Sequence, residues 1–359
     1  MMRIIIGISG TAKNTGKTTT LLEVLKFFHK RGNDIFLTGI GYDGEDFDNI
    51  TGLPKPRVLV PEGTIVASAL PLLESSPADF IDLKDTGVRC ALGRVFLGRA
   101  RSQGKVVLAG PASTRDLLSV TSFAPENAAV LIDGAFSRLS PMVVADSLIL
   151  ATGAARSRDS HRVAREVNGV FRVMSLPVFR NNVFPGELMK ISGGLFLTGQ
   201  GQELGWRLNG NKKVRVVRVE GVINPGVFQE VLDELGLVKG KGIIKDRTLL
   251  FIFDHPIKLL LSGDICLWET VVDNLFLAGC CAMVENSTEL LGVTVSPYLP
   301  SMSRAGRYMA TYVPPYTFLE DIRNLSLVPC SDIILEGPGR LYSWLEKSIS
   351  DSGGMGLLE

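Results

Sequence analysis

Residues 7–20 read GISGTAKNTGKTTT and follow directly on the run Arg3-Ile4-Ile5-Ile6. A strand-forming run, a glycine-bounded loop and the triplet Gly16-Lys17-Thr18 at the start of an apolar-periodic stretch dictate one local structure. The chain must run as a strand, turn tightly, and open a helix with its first N–H groups bare. Those N–H groups and the positive end of the helix dipole face one point, where a polyphosphate can sit. A lysine at position 17 reaches the β- and γ-phosphates, and the Thr18 hydroxyl can ligate Mg²⁺. Gly10, Thr11, Asn14, Thr15, Gly16, Lys17, Thr18 and Thr19 are therefore the candidate cradle, with ATP and Mg²⁺ as the expected cofactors.

The spacing departs from G-x-x-x-x-G-K-[ST], which would put the first glycine at position 11. Thr11 stands there, and the glycine lies one step earlier at Gly10. The order Gly-Thr, four residues, Gly-Lys-Thr resembles the loop of dethiobiotin synthetase and its relatives, within the P-loop class that also holds the MinD-like ATPases. The signature lysine of MinD-like loops would fall at Ala12, and its neighbour Lys13 does not match it.

At 359 residues the chain exceeds what a single core usually serves, so two domains are expected. A hydrophobic content of 45% with 21% charged residues fits a packed protein and argues against disorder. A formal net charge of +1 gives no electrostatic case for nucleic acid or an anionic membrane as partner. No apolar stretch reaches about 18 residues, which argues against a membrane span, and the short N-terminal apolar run is not a signal peptide. The five cysteines (Cys90, Cys266, Cys280, Cys281, Cys330) form no C-x-x-C pair, and only three histidines are present. Buried free thiols in a reducing cytoplasm are expected rather than zinc ligands or a disulfide framework.

Strands and helices alternate through the first half. Strands are expected at Arg3–Ile8, Ile35–Ile40, Arg57–Val60, Thr64–Ala67, Val106–Ala109, Ala129–Ile132 and Ser147–Ala151. Helices are expected at Lys17–His29, Gly87–Ala100, Arg115–Ser122 and Ser157–Val167. That order predicts an α/β fold, P-loop NTPase-like, whose mostly parallel sheet carries helices on both faces and binds ligands at the strands' carboxyl ends. After about Asn182 the texture becomes glycine-interrupted, which predicts a domain at 1–185 and a second α/β domain, partner-binding, at 186–359. In the latter, strands are expected at Val214–Val219, Leu249–Phe253, Ile257–Leu261, Leu290–Val295 and Asp332–Glu336. Helices are expected at Pro225–Leu235, Asp264–Asn274 and Arg340–Ile349.

Several constellations could carry chemistry. The strand at 35–40 runs into Gly41-Tyr42-Asp43-Gly44-Glu45-Asp46-Phe47-Asp48, with four carboxylates in six residues. Beside a phosphate cradle such groups hold Mg²⁺ or orient an attacking water. Asp43 is the first candidate, as metal ligand or catalytic group, then Glu45 and Asp46. The strand Ala129–Ile132 ends in Asp133-Gly134, the form of a carboxylate that joins the Mg²⁺ shell. An Asp-Gly turn would explain it equally. Ser113 or Thr114 would cap the helix that follows Ala109-Gly110-Pro111. Arg156, Arg158, His161, Arg162 and Arg165 share one helix face, either solvated or a docking surface. Lys55-Pro56-Arg57 is a basic turn, and Asp254-His255-Pro256 reads as a structural turn.

Four blocks together resemble one family: the loop itself, LTGIGYDGEDFDNITGLPKPRVLVPEGTIVAS at 37–68, LAGPASTRD at 108–116 and VLIDGAFSRLSPMVVADSLILATGAA at 130–155. The family is the KamB-type subunit of the lysine 5,6-aminomutase reactivating factor, and the resemblance covers roughly residues 1–190. It implies a cytoplasmic, ATP-dependent chaperone that helps damaged cobalamin leave an adenosylcobalamin-dependent aminomutase, alongside a MutS-like ATPase subunit. An oligomer is compatible with that role. The residues alone reach a nucleotide-dependent α/β protein, and the alternative is a small-molecule ligase or kinase of the dethiobiotin synthetase type.

Overall fold

A computed structural model describes residues 3–42, 58–180, 186–237, 248–302 and 308–354. Asp43, Glu45, Asp46, Asp48, Lys55, Pro56 and Arg57 lie outside the described residues. The chain separates into two compact units, Met1–Val163 with Leu290–Glu359, and Ala164–Glu289. The change of texture after Asn182 therefore falls inside the second unit, and a division at residue 185 does not follow the compact units. Residues 290–359 return to the unit that holds the loop.

The first unit opens with β1 (Ile4–Gly10), α1 (Lys17–Lys30), β2 (Ile35–Gly39), β3 (Val58–Val60), β4 (Ile65–Ala69) and α2 (Leu70–Glu74). It continues with β5 (Phe80–Cys90), β6 (Gly93–Ala100), β7 (Gly104–Val106), α3 (Thr114–Thr121), β8 (Ala129–Ala135), β9 (Ser147–Gly153) and the start of α4 (Ser160–Met174). The expected helix over Gly87–Ala100 is instead the β5–β6 antiparallel pair. Gly87 and Gly93 take φ of 76° and 117°, outside the helical region, and Val95 and Leu97 turn inward with one residue between them, the period of a strand.

The second unit holds β10 (Glu187–Ile191), α5 (Gln200–Gly210), β11 (Val214–Val219), α6 (Pro225–Glu234), β12 (Leu250–Phe253), α7 (Pro256–Leu259), α8 (Leu267–Leu277) and β13 (Cys281–Val284). Its four strands pair in parallel in chain order. Phe228, Phe251, Phe253 and Trp268 form its aromatic core, and the Trp268 indole N–H donates to Leu259 O at 2.6 Å. Residues 257–261, expected as a strand, are mostly helical because Pro256 sits at the first helical position and His255 caps it.

The chain re-enters the first unit through β14 (Glu289–Ser296), then forms β15 (Tyr298–Met302), β16 (Tyr308–Tyr312), α9 (Pro315–Leu325), β17 (Cys330–Ser331), α10 (Ile333–Glu336) and α11 (Gly339–Gly354). The expected strand at 332–336 is a helical turn, since Asp332 accepts from the N–H groups of Ile334 and Leu335. Among the described residues the first unit's main sheet has nine strands in the order β17-β14-β9-β1-β8-β2-β4-β6-β5. β1, β8, β9, β2 and β4 run parallel, and β6 and β5 are antiparallel additions.

β1 lies between β8 and β9, with Ile4, Ile6 and Ile8 buried on one face and Ile5, Gly7 and Ser9 on the other. α1 turns Leu21, Val24, Leu25 and Phe28 onto the same core, and Leu341 and Leu345 of α11 complete it. Each such side chain contributes roughly 1.5–3 kcal/mol by leaving water. The C-terminal helix is thus part of the support for the helix that carries Lys17. No helix among the described residues is long and apolar enough to cross a membrane.

Candidate phosphate-binding site

β1 ends at Gly10, and the turn to α1 uses two left-handed residues, Asn14 at φ 64° and Gly16 at φ 85°. Glycine takes such a φ without steric cost, and Gly16 is the residue before the helix. No side chain caps the first turn of α1, and no acidic residue lies in it. That is the arrangement an anion completes. Gly10 is constrained differently: a Cβ there would stand 3.0 Å from the Thr15 hydroxyl and 3.2 Å from Lys17 Cβ. The displaced first glycine is what lets the loop fold back over the end of its own strand.

The expected cradle residues divide by role. Thr15 is buried and its hydroxyl donates to Ala12 O at 2.9 Å, which holds the loop closed on itself. Thr11 hydrogen-bonds the Thr152 hydroxyl at 2.9 Å and ties the loop to β9. Asn14, Gly16, Lys17, Thr18 and Thr19 line a cavity of about 820 Å³, as does Thr15, while Gly10 and Thr11 do not.

Asp133 directly follows the buried run Ala129–Ile132 of β8, two residues before the strand's end, in register with Ile8 of β1. Lys17 Nζ donates to Asp133 Oδ1 at 2.5 Å, with 25% and 19% of the two side chains exposed. The sequence places these residues 116 positions apart; the parallel β1–β8 pairing brings them together. Asp133 is thus a strand-end carboxylate aimed at the loop. Gly134 is not turned away but stays in the strand, where a Cβ would run into Met142 and Ile40.

The cavity is broader than the cradle. Gly39 ends β2 and Ile40, Gly41 and Tyr42 follow it, Val107 and Leu108 follow β7, and Arg138 comes from a 3-10 turn at 136–138 after β8. Gly110 packs so tightly on Gly39 that a Cβ would collide with the Gly39 carbonyl, and Gly41 N–H donates to Pro111 O at 3.0 Å. The 108–116 block is therefore a brace under the end of β2. Ser113 caps α3, accepting from Asp116 N–H at 3.1 Å, and Arg115 is exposed.

Ser296, Pro297, Tyr298, Tyr312, Pro315, Asp332, Ile334 and Leu335 form the remaining wall. A domain boundary at residue 185 would put all of these in another domain, whereas they belong to the unit that holds the loop. The available signal was the tyrosine-proline spacing of SPYLPSM and YMATYVPPY, which reads as a hairpin but names no ligand. Arg138 was also missed; it stands five residues after Asp133, just where a strand-end turn re-enters the cavity. Burial raises the Asp332 carboxyl above the usual carboxylate range, opposed by its bonds from Leu335 and Ile334 N–H.

Other candidates fall outside this site. Arg156, Arg158, His161, Arg162 and Arg165 are all solvent-exposed. His255 is buried, accepts from Ile257 N–H at 3.1 Å, and is pushed down to about 4 chiefly by burial. That makes it a structural cap, in keeping with the turn read from Asp254-His255-Pro256. All five cysteines are free thiols, but only Cys280 and Cys330 are buried; Cys90, Cys266 and Cys281 are partly exposed.

Among the described residues no cluster of three or more His, Cys, Asp or Glu could hold a metal unaided. Thr18 and Asp133 are described oxygen donors beside the loop that could join the shell of a phosphate-bound cation. No family model, curated protein or solved structure matched the chain.

Proposed function

We propose that this chain is a P-loop nucleotide-binding protein that takes ATP with Mg²⁺ at the loop 10–19 and hydrolyses it. The observation that carries this reading is the Lys17–Asp133 pair at the mouth of an uncapped helix N-terminus. A lysine beside the cradle and a strand-end carboxylate on the adjacent strand are the two charges that phosphoryl transfer needs at fixed positions. Lys17 would move from Asp133 to the phosphates, Thr18 would ligate Mg²⁺, and Asp133 would then serve the metal shell. Asp43 and Glu45 are kept as candidates for the metal or the attacking water.

What the hydrolysis drives rests on the blocks at 37–68, 108–116 and 130–155. On that resemblance the chain is the reactivating subunit for an adenosylcobalamin-dependent aminomutase of the lysine 5,6-aminomutase type, acting in the cytoplasm with a MutS-like ATPase. Lys17→Ala should weaken ATP binding and abolish hydrolysis and release of damaged cobalamin from the mutase. Wild-type rates in that variant would sink the proposal.

One observation favours a second reading. The cavity extends past the Lys17–Asp133 pair to Ile40, Tyr42, Leu108 and Arg138. That space could take a small phosphoryl acceptor, as in a ligase or kinase of the dethiobiotin synthetase type. ATP turnover strictly dependent on a small acid, with no complex formed with an aminomutase, would select it.

A further inference from the structure

We propose that Tyr298 and Tyr312 form an aromatic shelf for the base of the nucleotide, which makes the β15–β16 hairpin the part of the site that distinguishes a nucleotide from a bare polyphosphate. The inference rests on the phosphate-loop reading above. It draws on a segment nearly 280 residues downstream of that loop.

The root of the hairpin is fastened to the cradle. A Cβ on Gly16 would stand 3.5 Å from Ser296 Cβ, so Ser296 packs beside the residue that opens α1. Two residues earlier, the Thr294 and Thr20 hydroxyls are 2.8 Å apart and buried. On the other side, Ala154 N–H donates to Ser296 O at 2.9 Å, and Gly153 has no room for a Cβ against the same carbonyl. Ser296 is therefore held between the end of β9 and the start of α1.

From that anchor the chain runs through Pro297 into β15. Two extended residues carry Tyr298 about 7 Å beyond Ser296. That is the order of distance by which a ribose separates a base from its phosphates. Tyr298 pairs with Tyr312 across the hairpin, with ring centroids 5.7 Å apart and planes at 72°. Both rings border the same cavity as Lys17, and Tyr312 is 63% exposed. The exposed Tyr312 ring at the rim of the cavity gives a planar heterocycle an aromatic surface to pack on.

The direction of the bound molecule follows from strand order. Lys17 and Asp133 lie towards β8, on one side of β1, while Ser296 and Tyr298 follow β14, on the other side beyond β9. A triphosphate seated in the loop with its terminal group at Lys17 Nζ has the hairpin on the side away from Asp133, where its ribose and base can lie. The apolar wall at Ile40 and Leu108 lies on the opposite side and is left for whatever receives or follows the γ-phosphate.

The test compares two probes on the full chain by calorimetry: Mg-ATP, and Mg-tripolyphosphate, which lacks base and ribose. Tyr298→Ala and Tyr312→Ala should each weaken ATP binding about 5- to 100-fold. Tripolyphosphate affinity should be unchanged, and Tyr312→Phe should retain ATP binding, because the ring rather than the hydroxyl is needed. Equal losses for both probes, or no loss for ATP in either alanine variant, would overturn the shelf while leaving the phosphate loop standing. Absence of binding for both probes in the wild-type chain would overturn the phosphate-loop reading itself, and the shelf with it.

Discussion

The Lys17–Asp133 pair makes a prediction whose sign differs between two measurements. In the structure the lysine that should grip phosphate is held by a carboxylate at 2.5 Å. Two unit charges at that distance attract by about 7 kcal/mol at an effective dielectric of 20. Most of that is cancelled by the water both groups give up, and both side chains keep some exposure, so a net value of about 1–2 kcal/mol is appropriate. A phosphate that recruits Lys17 must forfeit this amount. Asp133→Asn removes the competitor, so affinity for metal-free ATP should rise about 5- to 30-fold. Mg²⁺-dependent hydrolysis should fall about 10- to 100-fold in the same variant, because the metal shell loses its carboxylate.

Removing a negative charge near a triphosphate helps binding even without any contact with Lys17. The assay is therefore a double-mutant cycle at constant ionic strength, with Lys17→Ala as the second change and titration calorimetry in EDTA as the readout. Asp133→Asn should gain much less in the Lys17→Ala background than in the wild-type one. An equal gain in both backgrounds would refute the argument that Asp133 withholds Lys17. A loss of metal-free affinity in Asp133→Asn would refute it more directly.

Two further outcomes test the frame around the site. Burial holds the His255 imidazole near 4, so the unfolded chain binds more protons between about 6.5 and 4; stability is full above 6.5 and falls on acidification through that window, by up to about 3 kcal/mol. His255→Asn keeps an acceptor for Ile257 N–H and should flatten the acid limb in urea titrations at pH 7 and pH 5; an unchanged limb would count against it. Leu345→Ala, at a fully buried position on α11, should cost about 2–5 kcal/mol and lower Mg-ATP affinity only in proportion to unfolding. Full stability of that variant would show that the C-terminal helix is not part of the core under α1.

Local chemistry was legible where one stretch of chain decides the outcome. The isoleucines at 4, 5 and 6, the Gly16 turn and the leucine spacing of α1 each act within a few residues, and the strand-loop-helix lies where they place it. Asp133 was legible as a strand-end carboxylate, but its meeting with Lys17 depends on β8 pairing beside β1, which no local pattern encodes. The 87–100 stretch departs from the expected helix because Val88 and Val95, seven residues apart, fit a helical face, whereas Val95 and Leu97 alternate as in a strand and Gly87 and Gly93 take positive φ. Pro256 and Asp332 each turned an apolar strand-like run into a helical turn through capping. Tyr298, Tyr312 and Arg138 carry no motif; their use comes only from the wall they share with the loop.

The placement of residues 290–359 follows from where the chain leaves and re-enters. It leaves the first unit after β9, through α4, and returns as β14, and these two strands are neighbours in the sheet. An insertion whose ends lie on adjacent strands costs the host little, because neither strand has to move to accept it. The glycine-rich texture after Asn182 belongs to that insertion and marks no end of the first core. The return strand then does two things at once. Through Thr294 and Ser296 it braces the opening turn of α1, and through Pro297 it launches the tyrosine hairpin. A ligand that touches both the loop and the hairpin therefore bears on two segments joined by a single rigid strand end. A long nucleotide can gain from that arrangement twice, whereas an anion small enough to sit in the loop alone gains only once.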